Sequence, residues 1–498
     1  YDPNSTEKQI YDAGESSGFF NPDNLPNKDG TPYTIVMPPP NANGSLHAGH
    51  ALFITIQDIF TRFARMQGKR ALWIPGADHA GFETQVVYEK KLEKEGRSRF
   101  GMEPSALYKE IYDFTIVNKA VMENQVRSLG ASCDWSRERF TLDPDIVTKV
   151  QETFIKMFDG GLVYRGLRTV NWCPKHQTSL SDVETKSVEE KGVFYYLKYG
   201  PFVIGTSRPE TKFGDKYVVM HPDDERYAQY KEGDTLSVEW INGTITATII
   251  KDEAVDMSFG TGVMTITPWH DATDFEIAKR HNLDSEQVID WRGKLLPIAG
   301  DLAGTKILDA RQKIIEKLQS KGLVERIDDN YTHVVKRCYK CETLIEPQVK
   351  DQWFVKMKPL AELALKAVND KKVSFVPENY EKIFRYWMEN TLDWNISRQI
   401  VWGIPIPAWF KDGEARASLQ SPGDGWVKDA DTFDTWFSSG QWPVLVTDYP
   451  NGKSSPYYPT DVMETGHDLI FRWVPRMSFL VSTLPTRPLF IQSTFMDL

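Results

Sequence analysis

Cysteine is scarce in this 498-residue chain: only Cys133, Cys173, Cys338 and Cys341 occur. Four thiols in so long a chain speak against a disulfide framework and for a reducing, cytoplasmic setting. Long apolar runs are missing too. No stretch approaches the ~18 consecutive apolar residues of a membrane helix, so no membrane partner is expected. The first residues, Tyr1-Asp2-Pro3-Asn4-Ser5-Thr6, have neither a basic region nor an apolar core, so no secretory signal is read there. They also lack an initiator Met, and the chain reads as cut at its N-terminus. Basic residues are outnumbered 59 to 69, for a net charge of −10. As an average, that balance argues against phosphate-backbone binding, while leaving room for one local basic face.

What is present describes an ordinary globular protein, 41% hydrophobic and 26% charged. Its length exceeds a single core, and roughly three domains are expected. The β-rich run Tyr33–Met37 ends in Pro38-Pro39-Pro40-Asn41-Ala42-Asn43-Gly44, which reads as a strand entering a loop. Ser45–Met66 is helical in pattern, with apolar Leu46, Leu52, Phe53, Ile56, Ile59, Phe60 and Phe63. A second strand, Arg70–Ile74, runs into a Pro75-Gly76 turn. Strand, loop, helix, strand is the grammar of an open parallel α/β sheet, which binds ligands beyond its strand ends.

From about 191 to 330 the texture becomes β-rich, with Val193–Leu197, Phe202–Ile204, Tyr217–Met220 and Thr244–Ile250 split by Gly, Asp and Pro. This predicts a barrel-like domain with few helices, one near Asp274–Arg280. After Arg337 the pattern is α/β again, with helices near Pro359–Asn369 and Phe471–Val481. The expected organisation is 1–190, an inserted domain at 191–335, and 336–498 with a small connective insertion near 405–460.

Three features carry chemistry. His47-Ala48-Gly49-His50 opens a helix, where free N–H groups and a partial positive charge suit a polyphosphate. Gly49 permits close approach, and both imidazoles can donate to phosphate oxygens. Alone, this tetrad is also compatible with a solvated helix start. Cys338-Tyr339-Lys340-Cys341 is a C-x2-C knuckle and Cys173-Pro174-Lys175-His176 a C-x2-H pair. More than 160 residues part them, but the pairs flank the β-rich insertion, so Cys173, His176, Cys338 and Cys341 predict one closed, structural Zn²⁺ site. The plainer alternative is surface thiols and a solvated histidine. Cys133 reads as a buried core thiol.

The third feature is a set of blocks in order: Met37–Asn41, Pro75–Gly81, Gly130–Phe140, Ile396–Gln399, Asp434–Ser439 and Glu464-Thr465-Gly466-His467-Asp468. Together with the His47–His50 tetrad they resemble class I aminoacyl-tRNA synthetases, most closely the valine-specific branch, over essentially the whole chain. The resemblance implies a Rossmann-type parallel sheet, discontinuous and interrupted by an editing domain. It implies an enzyme, expected to be a monomer, that joins valine to tRNA(Val) using ATP with Mg²⁺. His47 and His50 are then the catalytic residues, stabilising charge on the phosphates without a covalent intermediate. ATP is held by His47, Gly49, His50, Glu464, Gly466 and Asp468. Asp78 takes the substrate ammonium, and Pro38, Asn41, Trp436, Leu469 and Trp473 shape the side-chain pocket. The plainer alternative for the two tryptophans is core packing.

By the same resemblance, Thr206–Thr211 and Gly260–Asp271 form a hydrolytic editing site. Asp271 anchors the ammonium of a threonyl product, with Asp274 nearby, and Thr206, Arg208, Thr211 and Thr267 surround the ligand. The family usually has Lys where Thr265 stands and Thr-Thr where Thr206-Ser207 stands, so this site is expected to lack one cation. The chain stops in what resembles the strand before the family's mobile Lys-Met-Ser-Lys-Ser loop, which places that loop and the anticodon-binding domain outside it. Ala42-Asn43-Gly44 resembles the isoleucine branch, which stays open as the specificity. Of two further readings, a stand-alone trans-editing hydrolase would not need His47–His50 or Glu464–Asp468, and a non-catalytic tRNA-binding relative should have lost Asp78 or the tetrad, whereas both sets are intact.

Overall fold

Strand formation starts where β-branched and aromatic residues cluster. Pro32–Val36 pairs in parallel with Arg70–Ile74, setting Ile35 opposite Trp73 and Val36 opposite Ile74. Parallel pairing needs a crossover, and the helix Ala48–Met66 supplies it. A short second parallel pair, Gly76–Ala77 with Arg139–Phe140, continues the same course. Gly76 is obligatory there, because a Cβ would lie 2.3 Å from Cζ2 of Trp442. Far along the chain, Val462 forms a parallel bridge with Ile35, and the Asp461 carboxylate accepts the Thr34 N–H at 2.7 Å.

This computed structural model describes residues 1–447, 455–482 and 494–495. They divide into two compact units, Tyr1–Tyr164 with Trp353–Leu498, and Arg165–Gln352. The chain passes between them within the strands Val163–Cys173 and Glu346–Val355. The inserted unit is thus wider than the 191–335 read from the sequence, because the Cys/His segments and the flanking strands belong to it. Thr494–Phe495 pairs in parallel with Ser374–Phe375, while Met496–Leu498 of the expected terminal strand lie outside the described residues.

In the first unit the core gathers around Phe154 of the helix Pro144–Asp159. Its ring meets Trp353 edge-on at 5.2 Å and Phe433 at 5.3 Å. The helices Met357–Asn369 and Trp473–Ser482 add Leu360, Ala364, Met477 and Leu480 to this cluster. Near 405–460, Ala408–Lys411, Glu414–Ala417 and Val427–Lys428 form a small antiparallel sheet. Among the described residues no helix is long and apolar enough to cross a membrane.

In the second unit a four-stranded sheet runs in the order Thr235–Trp240, Gly243–Lys251, Tyr217–Met220, Val263–Ile266. A three-stranded sheet pairs Val324–Cys338 with Thr185–Tyr199 and that with Phe202–Thr206. Neither sheet closes on itself, so the expected barrel gives way to two open sheets. The reason lies in the helix Ile307–Ser320, whose buried Ala310, Ile314 and Leu318 join Val218, Val238 and Ile249 in one core. A helix covers apolar sheet surface that closure would otherwise have to bury.

Candidate functional site

The helix Ala48–Met66 is capped by the histidines themselves. His47 Nδ1 accepts the Gly49 N–H at 3.1 Å, and His50 Nδ1 accepts the His47 N–H at 3.2 Å. A ring nitrogen that accepts a backbone N–H carries no proton, so each ring holds its proton on Nε2. The ring centroids are 3.9 Å apart. Burial, then the neighbouring His47, pushes His50 down to about 4. At neutral pH His50 is therefore an uncharged N–H donor beside the positive end of a helix. Gly49 keeps the pair intact, since a Cβ there would sit 3.0 Å from Cε1 of His47.

Asp78 lies at the end of the adjoining strand path, locked to the Pro40–Ala42 loop. Its N–H donates to Pro40 O, and Ala42 N–H donates to Asp78 O, both at 2.9 Å. Asp78 is 5% exposed. Its Oδ1 accepts from Ala80 N–H at 2.8 Å, Thr435 Oγ1 at 3.1 Å and Thr141 Oγ1 at 3.3 Å. Ala80 reaches back through a left-handed turn at φ 51°. Of the expected side-chain pocket, Pro38 is buried, and exposed Asn41 donates to Glu83 at 2.7 Å. Trp436 and Leu469 pack half-buried against the large core. Trp473 lies inside that core, with Nε1 donating to Ser439 O at 2.8 Å, so it supports the wall from behind.

Trp436 is aimed by a buried network. Asp434 Oδ1 accepts the Trp436 N–H at 3.0 Å. Asp434 Oδ2 accepts from Arg398 at 2.7 Å and from Trp394 Nε1 at 2.9 Å. A second chain ties Glu464 to the histidine-capped helix: Trp73 Nε1 donates to Gln57 Oε1 at 2.9 Å, and Gln57 donates to Glu464 O at 3.2 Å. Burial raises the Glu464 carboxyl to about 7, with Gln57 opposing. Gly466 and Asp468 are exposed beyond it. Thr141, Thr435 and Gln57 were not singled out in the sequence, although Thr435 lies within the Asp434–Ser439 block.

The second unit holds a cavity of ≈ 450 Å³, lined by Thr206, Arg208, Thr211, Thr267, Asp271 and Asp274, among others. All six residues expected from the sequence meet there, but their surroundings differ. Arg208 is engaged inside the protein: it donates to both Glu346 oxygens at 2.6 Å, to His270 O at 2.9 Å and to Glu210 at 3.3 Å. His270 Nε2 accepts two backbone N–H groups, from Val288 and Ile289, which leaves Nδ1 as donor toward Glu346 at 3.1 Å. Arg208 is accordingly a wall, held from behind.

Asp271 is exposed and N-caps the helix Ala272–Arg280, accepting from Thr273 N–H at 2.8 Å and Asp274 N–H at 3.1 Å. Asp274 is buried and accepts the Thr267 N–H at 2.8 Å. Burial, then the charge of Asp271, raises its carboxyl to about 7. The cation expected to be missing at Thr265 arrives from elsewhere, since Lys212 Nζ donates to Thr265 Oγ1 at 3.1 Å. Lys212 directly follows the Thr206–Thr211 block, and that adjacency was the available signal.

The same unit brings Cys173, His176, Cys338 and Cys341 together, with all four ligand atoms within 4.8 Å of one another. Cys173 and Cys341 Sγ are 3.6 Å apart. A tetrahedron with Zn–S near ~2.3 Å has edges of about 3.8 Å, so the donor set fits zinc. Cys133 is buried, as expected.

A family profile described as tRNA synthetases class I (I, L, M and V) matches residues 9–417 and 411–492. The Valine--tRNA ligase of Geobacter sulfurreducens is 41% identical over 501 residues, covering 96% of this chain and 56% of that protein. The Valine--tRNA ligase of Carboxydothermus hydrogenoformans is 41% identical over 520 residues, covering 100% and 58%. The chain thus spans little more than half the length of these curated relatives. Among solved structures, the LeuRS-tRNA-LeuAMS ternary complex of Agrobacterium radiobacter K84 aligns over 100% of this chain and 68% of its own, with a TM-score of 0.49 and 16% identity.

Proposed function

The chain belongs to the class I tRNA synthetases (I, L, M and V), and from that premise we propose that it activates valine with ATP and Mg²⁺ to valyl-adenylate for transfer to tRNA(Val), and hydrolyses threonyl products in its second unit. The observation that carries this reading is the 41% identity to Valine--tRNA ligases along 96–100% of the chain. The parallel pairs of the first unit are read as parts of a Rossmann-type sheet.

The geometry supports each role. The neutral His47 and His50 rings offer Nε2–H donors to phosphate oxygens at a helix start, a preorganised dipole for charge that builds in the transition state. Asp78, with Oδ1 held by three donors, presents Oδ2 to the substrate ammonium. Glu464 and Asp468 face the ribose and adenine. Trp436, held by Asp434, closes the side-chain pocket. Valine-specific enzymes are the standing illustration that an apolar pocket rejects isosteric threonine by only about 10²-fold, so a second sieve has work to do. In that sieve, Asp274 is favoured over Asp271 for the ammonium because it is buried on the cavity wall, whereas Asp271 is exposed and caps a helix through Oδ1. Cys173, His176, Cys338 and Cys341 would hold Zn²⁺ as a structural cross-link.

The test is protection against thermal unfolding by non-hydrolysable aminoacyl-adenylate analogues. The valyl analogue is expected to raise Tm more than the isoleucyl one. Equal or reversed shifts would remove the valine specificity and favour the isoleucine branch, to which Ala42-Asn43-Gly44 is similar.

A further inference from the structure

Lys212 is a buried cation that the activity as proposed does not use. It sits in the 3-10 segment Pro209–Gly214, 6% exposed, on the wall of the second unit's cavity. An ammonium has three donors, and all three have partners within the protein. They are Thr265 Oγ1 at 3.1 Å, Thr265 O at 3.3 Å and Asp215 Oδ1 at 3.4 Å. No donor is left for a ligand, so Lys212 is a positioning group.

What it positions is a pair of buried carboxylates joined through one threonine. Thr267 donates its hydroxyl to Asp215 Oδ1 at 3.0 Å and its N–H to Asp274 Oδ2 at 2.8 Å. Asp215 is 2% and Asp274 7% exposed. Facing them from the other walls are Asp271, a like charge, and Arg208 and His270, both tied to Glu346. One cation therefore stands among two buried anions. We propose that Lys212 is the internal counter-ion of this pocket: it holds Asp215 ionised and leaves Asp274 as the single uncompensated carboxylate. This rests on reading the cavity as an aminoacyl-ester site.

Without Lys212, two buried carboxylates lack a cation, and the pair takes up a proton on folding. A buried acid whose folded pKa lies above its unfolded value binds more protons in the folded state, so stability falls as pH rises. Asp215 and Asp274 are both already raised by burial, with Lys212 opposing in each case.

The experiment follows unfolding of the full chain between pH 6 and 9, read by hydrogen exchange on peptides of Arg165–Gln352. Lys212→Met is expected to steepen the loss of stability with pH by up to one proton, and Lys212→Met/Thr265→Lys to restore the wild-type slope. A purely packing role would lower stability equally at every pH. If Lys212→Met does not fold, Thr265→Lys in the otherwise unchanged chain is the independent arm, where a second cation should flatten the slope. An unchanged slope in Lys212→Met, or one that Thr265→Lys leaves steep, overturns the counter-ion role. In parallel, a non-hydrolysable threonyl-adenosine should bind wild type at least 10-fold more tightly than its N-acetyl form. Equal binding would overturn the ammonium role proposed for Asp274, and no binding of either would overturn the aminoacyl-ester reading, while the pH slopes judge Lys212 separately.

Discussion

Asp78→Asn separates charge from shape at the first site. The asparagine keeps an Oδ1 acceptor for Ala80 N–H, Thr141 and Thr435, whose distances of 2.8, 3.3 and 3.1 Å fix the wild-type carboxylate. The fold around the strand end should therefore hold. What changes is the second atom, from an anionic acceptor to an amide donor facing the ligand ammonium. A hydrogen bond to a charged group contributes about 1.5–3 kcal/mol, and leaving the ammonium unpaired in a site this buried adds to it. A total near 3 kcal/mol corresponds to about 10²-fold in affinity. Titration calorimetry with a valyl sulfamoyl-adenosine and with its des-amino counterpart reads this directly. The amino analogue should weaken about 10²-fold on substitution, and the des-amino one should not. Equal losses for both would mean that Asp78 shapes the site without binding the ammonium, and a loss under about 3-fold would mean that it does neither.

Two further outcomes are expected. Metal analysis of the purified chain should find one zinc, lost in Cys338→Ser, because the four ligand atoms lie within 4.8 Å of one another; a fully folded, metal-free chain would contradict the closed site. Arg398→Met should destabilise the first unit by about 3–5 kcal/mol in urea unfolding, since it strands the Asp434 carboxylate in the core. Both partners are 1% exposed. Adding Asp434→Asn, which removes the charge and keeps an acceptor for Trp436, should recover part of that loss.

How much of this was legible depended on whether the signal was local. Arg70–Ile74 and Tyr217–Met220 could be read as short β-rich runs, and both are strands with those bounds. The helix Pro3–Ser16 was not expected, because it carries no apolar stripe. Ala48–Met66 was expected as a helix, but its apolar residues misdescribe its buried face. Leu52, Ile59 and Phe63 are 49–59% exposed, whereas Gln57 and Thr61 are fully buried. Hydropathy cannot foresee this, since Gln57 is drawn inward by hydrogen bonds to Trp73 and to Glu464, the latter 407 residues away. That no closed sheet is found where a barrel was expected has a related reason: strand-rich composition does not say whether a sheet closes or is covered by a helix.

The sites divide along the same line. Residues whose type announces a chemistry, such as His47, Asp78 or Cys338, stand out in any linear reading. The groups that set their protonation and aim do not, because Thr435 reaches Asp78 across 357 positions and Glu346 reaches Arg208 across 138. Asp271 and Asp274 show the limit most clearly. Both are acids three positions apart in one motif, and the sequence favoured the first. The structure separates them by burial: Asp271 is exposed and gives Oδ1 to the first-turn N–H groups, as N-caps do. The residue one turn in is carried inside, where Thr267 and the Lys212–Asp215 pair surround it. A carboxylate that caps a helix through one oxygen keeps the other, so the proposed preference for Asp274 rests on its burial beside Thr267.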